Sequence, residues 1–216
     1  MKNRTAVIIL FLIAVILSGC IQKVEQKALI DFTTYFPLHG GDYYLYSGLM
    51  GRCEVSSDLE NIYTFTSYDS AGNVIQWQDF LKYSGTVTLR NIINHSDSVY
   101  SVHFLPSLPF GPWSILVGDT SLVEVIEIRN DSANTHTRVM VGYEVLGHES
   151  VTTPAGTFAD CIKIGMIYSS PEYASTMILA GESAWWFARN IGLVKYETAH
   201  GSGVLLEAGI EGINIP

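Results

Sequence analysis

Charge is scarce in this chain. Asp, Glu, Lys and Arg make up 15% of its 216 residues, against about a quarter in ordinary globular proteins. Positive charge is scarcer still: 12 Lys and Arg stand against 21 Asp and Glu, a formal net charge of −9. A phosphate-binding surface is therefore not expected, and nucleic acid drops out as a partner. Polarity sufficient for disorder is missing too, because 48% of the residues are hydrophobic and 12% aromatic. The unbroken apolar run Ala6–Leu17 has 12 residues, short of the roughly 20 that cross a bilayer as a helix. G-x-S-x-G, HExxH, a P-loop, a dinucleotide glycine fingerprint and CxxC are all absent. No two of the six histidines (His39, His95, His103, His136, His148, His200) stand at metal-ligand spacing. The expectation is a protein without enzymatic activity, metal or cofactor.

The N-terminus carries an address. Lys2 and Arg4 precede the apolar run, and Leu17-Ser18-Gly19-Cys20 follows it. A basic start, a short apolar core and small residues before a cysteine read as a lipoprotein signal peptide, residues 1–19, with a lipobox. Small residues there let the signal peptidase approach the backbone. The Cys20 thiol is then the site for diacylglycerol (with palmitate-type chains), and two acyl chains anchor stably where one does not. Residues 20–34 read as lipidated cysteine and tether, and residues 35–216 as one antiparallel β domain. The expected place is the cell membrane or envelope, on the extracytoplasmic side, held by lipid without spanning. With Cys20 acylated, Cys53 and Cys161 remain. They form either a disulfide, favoured by export, or two buried free thiols.

The domain reads as strands almost throughout. Thr86–Ile93 alternates, with Val87, Leu89 and Ile93 on one face; Val139, Val141, Tyr143 and Val145 form a second apolar stripe, and Ile162, Ile164, Met166 and Tyr168 a third. Turn-forming clusters lie between them, at residues 69–73, 94–97, 130–134 and 201–203. Only Glu25–Phe32 has the character of a helix start. The fold class that follows is all-β, a curved antiparallel sheet or half-barrel with little helix. The segment Leu105–Trp113 holds three of the seven prolines. It is expected as an apolar connection (105–117) between two β halves, either a crossover loop or a lid whose contact points are Phe110 and Trp113. Some strands are apolar on both faces: Tyr43-Tyr44-Leu45-Tyr46, Met177-Ile178-Leu179 and Ala184-Trp185-Trp186-Phe187-Ala188. Neighbouring side chains in a strand point oppositely, so such strands need cover on both sides.

Three stretches are similar to a family pattern. Residues 35–46 resemble an FPLxxGxxWxY opening, with Tyr44 where that pattern has tryptophan. Residues 147–161 resemble VxxPAGxFxDC, and residues 185–197 resemble WFAxxxGLVK. In this order they resemble a group of exported prokaryotic proteins and lipoproteins of unknown function. The resemblance implies a curved antiparallel sheet akin to the half-barrels of lipoprotein carriers, a likeness of fold and not of activity. The turn residues Pro154, Gly156, Asn190 and Gly192 have sufficient reason in chain reversal alone.

The expected function is that of an anchored protein binding an apolar or amphipathic ligand, a lipid or acyl chain, in a concave aromatic-lined sheet. The candidate lining residues are Tyr44, Trp77, Phe110, Trp113, Trp185 and Trp186. The alternative is a non-enzymatic envelope interaction or assembly protein that docks a partner through its aromatic face. His148-Glu149 is the most tempting acid/base pair, yet adjacent strand residues face opposite sides. Asp69 and Asp79 read as ordinary turn and surface carboxylates.

Overall fold

The computed structural model describes residues 32–59, 61–83, 85–95, 100–112, 116–131, 133–169 and 181–216. The signal peptide, Cys20, the helix start at Glu25, Trp113 and Met177-Ile178-Leu179 lie outside the described residues. A 3-10 turn, Phe32–Thr34, is followed by thirteen strands: β1 Tyr43–Tyr46, β2 Arg52–Leu59, β3 Ile62–Tyr68, β4 Val74–Tyr83, β5 Thr86–Asn94, β6 Tyr100–Pro109, β7 Thr120–Asn130, β8 Thr135–Thr153, β9 Gly156–Ser169, β10 Gly181–Ala188, β11 Gly192–Thr198, β12 Gly201–Ile210 and β13 Ile213–Ile215. Each pairs antiparallel with the next. β1 also pairs with β12, Tyr44 opposite Ala208, so the sheet closes into a twelve-strand barrel with β13 added to β12. The antiparallel all-β expectation holds, and the curvature carries past a half-barrel to full closure, which removes the exposed edges a half-barrel would leave.

The three alternating stripes all point inward. Val139, Val141, Tyr143, Val145, Ile162, Ile164, Met166 and Tyr168 are buried. On β5 the inward set is Val87, Leu89 and Ile92 rather than Ile93, because the register with β6 shifts between Leu89 and Asn91. One extra residue there reverses the facing of everything after it. The proline-rich stretch also departs from expectation. β6 runs on through Pro106 to Pro109, still paired with β5 at Leu108 and Pro109, while its pairing with β7 ends at Leu105. Missing proline N–H groups are tolerated where one neighbour has already left. The ring passes from β6 to β7 without dividing into two halves.

A barrel this wide needs filling, and the chain fills it with its own N-terminal segment and a cluster of rings. Phe32, Tyr35, Phe36 and Leu38 are buried inside one end. Phe36 meets Phe110, Phe80 and Phe187 at centroid distances of 4.9, 5.3 and 6.1 Å. The plug is tied to the turns at that end: Asn190 N–H donates to Thr34 O (2.6 Å), Lys82 Nζ to Leu38 O (3.1 Å) and Arg189 Nη2 to Tyr35 Oη (3.2 Å). Gly111 has φ +110° and a Cβ there would lie 2.6 Å from the Phe32 ring, so the chain after β6 closes on the plug only as glycine.

Candidate functional site

The rings proposed as a ligand surface are mostly used for packing. Tyr44 and Trp185 face the barrel interior and are buried, and Phe110 is half-buried among Phe36, Phe80 and Phe187. Trp186, next to Trp185, points to the opposite face and is 2% exposed. It lies across from Lys163 on β9 and Lys195 on β11, whose Nζ atoms sit 4.7 and 4.2 Å from its ring, and its Nε1 donates to Glu149. Glu149 belongs to the far part of the β8–β9 hairpin, which continues past the barrel and contacts β11 and β12, strands with which it does not pair. The two-sided apolar strand is therefore covered by the chain itself. Trp77 is half-exposed on the outside, against His95 at 4.3 Å. Of these residues Phe110 and Trp185 meet at one small interior cavity, while Tyr44, Trp77 and Trp186 do not line it.

Inside, little space remains. Phe36, Phe65, Phe110 and Trp185, with Gln76 and Gln78, bound a cavity of about 40 Å³, and a neighbouring one beneath Phe110 and Phe187 measures about 10 Å³. A cavity of 10–15 Å³ on this measure holds one water, so the larger admits about three waters or a chain tip, and not a whole acyl chain. Gln78 Nε2 donates to Gln76 Oε1 at 2.6 Å, which leaves the pair's remaining amide atoms facing that space.

Two large openings lie on the surface, one of about 860 Å³ beside Leu49 and Tyr68 and a more aliphatic one that sequence reasoning did not find. A groove of about 1030 Å³ runs over the outer face from β7 to β11. Two register lines make its floor. Leu122, Gly142, Ile167 and Glu182 are paired across β7–β10; Thr120, Glu144, Gly165, Ala184 and Glu197 are paired across β7–β11. Leu122 is 70% exposed, Ile167 54% and Leu146 43%. These aliphatic residues occupy the outward positions of strands whose inward positions are also apolar. The available signal was the pair of in-strand glycines, Gly142 and Gly165, neither at positive φ, since glycine inside a strand often marks close approach of another molecule. Glu144, Glu182 and Glu197 put carboxylates between these aliphatic positions; Glu197 is paired with Lys195 at 2.8 Å.

The remaining candidates resolve plainly. Of the two alternatives for Cys53 and Cys161, the structure has the two buried free thiols. Cys53 bonds to Ser67 and Met50 among inward residues of β2, while Cys161 bonds to the Phe158 carbonyl on β9. Burial pushes Cys53 up to about 12 and Cys161 up to about 11. His148 Nδ1 contacts Asp160 at 3.2 Å and Glu149 receives Trp186, so the adjacent pair divides as strand geometry demands. Asp69 accepts from the Asn73 side-chain amide and from the N–H groups of Asn73 and Ala71 in the β3–β4 turn, which hold its carboxyl below the usual range. Asp79 belongs to a polar row across the outer face: Thr64 and Asn91 donate to it, Asn91 Oδ1 meets His103 Nδ1 at 3.1 Å, and Ser101 Oγ lies 3.4 Å from His103 Nε2. The order serine, histidine, asparagine resembles a nucleophile relay, yet Ser101 stands near the start of β6 with a ladder partner on each side, Ile93 and Asn130. It reads as a cross-strand network that ties β3 to β6.

The DUF3108-like family matches residues 117–208, which include the strands that form the groove. Among solved structures, a candidate exported protein with a YmcC-like fold from Bacteroides fragilis NCTC 9343 matches with TM-score 0.50 and 16% identity, over 79% of this chain and 96% of that one. A candidate lipoprotein from Parabacteroides distasonis ATCC 8503 matches with TM-score 0.46 and 19% identity, over 81% of this chain and 98% of that one. None of the curated proteins compared with the chain matches it. At these identities the first likeness speaks for the fold alone.

Proposed function

We propose that this protein is an exported binding module, lipid-anchored through Cys20 on the extracytoplasmic side of the membrane, which takes an apolar or amphipathic ligand on the outside of its barrel. The observation that carries the reading is a contrast of volumes. The outer groove offers about 1030 Å³ over exposed Leu122, Leu146 and Ile167, whereas the interior cavity beside Phe36 and Trp185 measures about 40 Å³. Exposed aliphatic side chains clustered over glycine are the feature that marks an interaction site on a soluble face. Binding rather than catalysis is favoured because the carboxylates Glu144, Glu182 and Glu197 have no histidine, lysine or cysteine beside them in the described lining of the groove. The lipobox supports the anchor. Residue 32 sits at the plugged end, and the twelve residues 20–31 reach at most about 40 Å, so the barrel hangs from that end with its side wall free. The names of the two structural neighbours, a candidate lipoprotein and a candidate exported protein, agree with this placement.

Native mass spectrometry on full-length protein purified from membranes tests it. An apolar adduct is expected on the wild type, absent from Gly142→Val, and retained by Leu89→Phe, which fills the interior cavity. Loss of the adduct from Leu89→Phe alone would move the site indoors, and an unadducted wild type would overturn the reading. Docking of an envelope partner is a second reading of the same face, favoured by its carboxylates.

A further inference from the structure

Charge distinguishes the groove from a plain greasy patch. Among the described residues its lining includes no Lys or Arg but three glutamates, Glu144, Glu182 and Glu197, of which Glu197 has a cation in contact, Lys195. Glu144 and Glu182 stand on opposite sides of the Gly142–Gly165 floor. A neutral lipid chain gains nothing from that frame, and an anionic lipid headgroup is repelled by it. The dimensions are also informative. Five strands at about 4.8 Å spacing put β7 and β11 about 19 Å apart, the length of about 13 helical residues at 1.5 Å each. Leu122, Ile167 and Leu146 interrupt the floor as side chains that can interdigitate with the apolar stripe of a helix.

Gly142 supplies the independent observation. Its φ is not positive, and a Cβ built there would meet only Leu122 Cδ1 at 3.8 Å and Ser121 O at 4.0 Å. Neither backbone conformation nor crowding requires glycine, and glycine weakens a strand interior. What its missing side chain does provide is a low floor between Leu122 and Ile167, its partners on either side. Gly165 differs: a Cβ there would press on Leu146 Cδ1 at 3.2 Å, so its bareness is partly internal packing.

We propose that the occupant of the β7–β11 groove is a basic amphipathic helix of a partner protein, its apolar stripe on Gly142, Leu122 and Ile167 and its lysines or arginines on Glu144 and Glu182. This rests on the outer-groove reading and specifies its ligand.

The test uses the full chain in phosphatidylcholine nanodiscs, with empty nanodiscs as the blank, and three labelled 14-residue peptides of identical leucine pattern. Their polar positions are all lysine, all glutamine or all glutamate, and binding is read by fluorescence anisotropy. The lysine peptide is expected to bind and the glutamate peptide to fail. Glu144→Gln with Glu182→Gln is expected to weaken the lysine peptide about threefold to tenfold, with a shallower salt dependence. Gly142→Val is expected to abolish binding without lowering Tm, because a β-branched residue suits a strand better than glycine. A merely structural glycine would instead lower Tm. Equal, Gly142-dependent binding of the lysine and glutamine peptides would overturn the basic helix and leave the apolar groove standing. Lysine-peptide binding that ignores Gly142→Val would reduce the effect to net charge and overturn the site. Displacement of the peptide from the wild type by added lipid, in the same Gly142-dependent way, would replace the helix by a lipid. If no peptide binds while the membrane-purified protein still carries a Gly142-dependent adduct, the helix fails and the ligand groove survives.

Discussion

Asp42 fastens the last residues of the plug segment to the far end of the chain. It is 2% exposed, and its Oδ atoms accept the N–H groups of His39 (3.1 Å) and Glu211 (3.0 Å), with the His39 ring at 3.1 Å. It thereby pins the segment before β1 to the β12–β13 turn, where Glu211 holds φ 48°. Asp42→Ala leaves two amide donors without their acceptor, at a cost of about 1–3 kcal/mol. For a domain of this size that lowers Tm by about 2–10 °C, read by calorimetry, and Asp42→Asn, which keeps one acceptor oxygen, is expected to recover part of the loss. The thiols give a second outcome at this scale. Since burial lifts Cys53 to about 12 and Cys161 to about 11, the thiolate is rare at pH 8 and native alkylation by iodoacetamide is expected to be slow. Both sites should label promptly in denaturant without reductant. Resistance to labelling until reductant is added would instead show a bridge.

Among the elements, the β8–β9 hairpin does two jobs. Its inner part carries the barrel wall and its outer part covers Trp186. β8 is 19 residues long, with register shifts against β9 between Val145 and Gly147 and between Glu149 and Val151. Such bulges bend a hairpin, which accounts for its reaching β11 and β12. Gly156 turns it with φ +133°. Glu149→Ala removes the acceptor of the buried Trp186 N–H and is expected to cost about 1–3 kcal/mol, whereas Glu149→Gln keeps an oxygen in place and costs less. Denaturant melts of both variants, with tryptophan emission as a probe of the indole's surroundings, check this. Equal stability of the alanine variant and the wild type would mean that the arm does not close over Trp186.

For the whole molecule the interior sets the response to pH. Desolvation raises Tyr44, Tyr46, Tyr143 and Tyr168 above the ordinary value of 10.0, and the two thiols above 9.0. Each is an acid kept neutral in the folded chain and free to ionise when unfolded. The unfolded chain therefore releases protons first as pH rises. Their contribution to stability is fully present below about pH 9 and is lost as pH climbs through 9 to 12 and beyond. The expected outcome is cooperative alkaline unfolding in which tyrosinate absorbance and loss of the β signal in circular dichroism rise together. Tyrosinate that appears while the sheet is intact would show that water reaches these rings.

The sequence by itself determined most of the strands and, where no bulge intervenes, their facing: alternation at Val139–Val145 and Ile162–Tyr168, and turn residues such as Asn190 (φ 60°). These signals are local, carried by a period of two or by a few adjacent residues. What lay beyond reach is non-local. Closure of the ring depends on β1 finding β12 across the whole chain, and the destination of Trp185 and Trp186 depends on a plug and a hairpin from distant segments. The same residue pattern suits a half-barrel awaiting a lipid and a full barrel that has already filled itself. Only the tertiary structure chose the second, because the chain's own rings take up interior volume that a ligand would have needed, while the described residues leave the aliphatic outer face around Gly142 exposed.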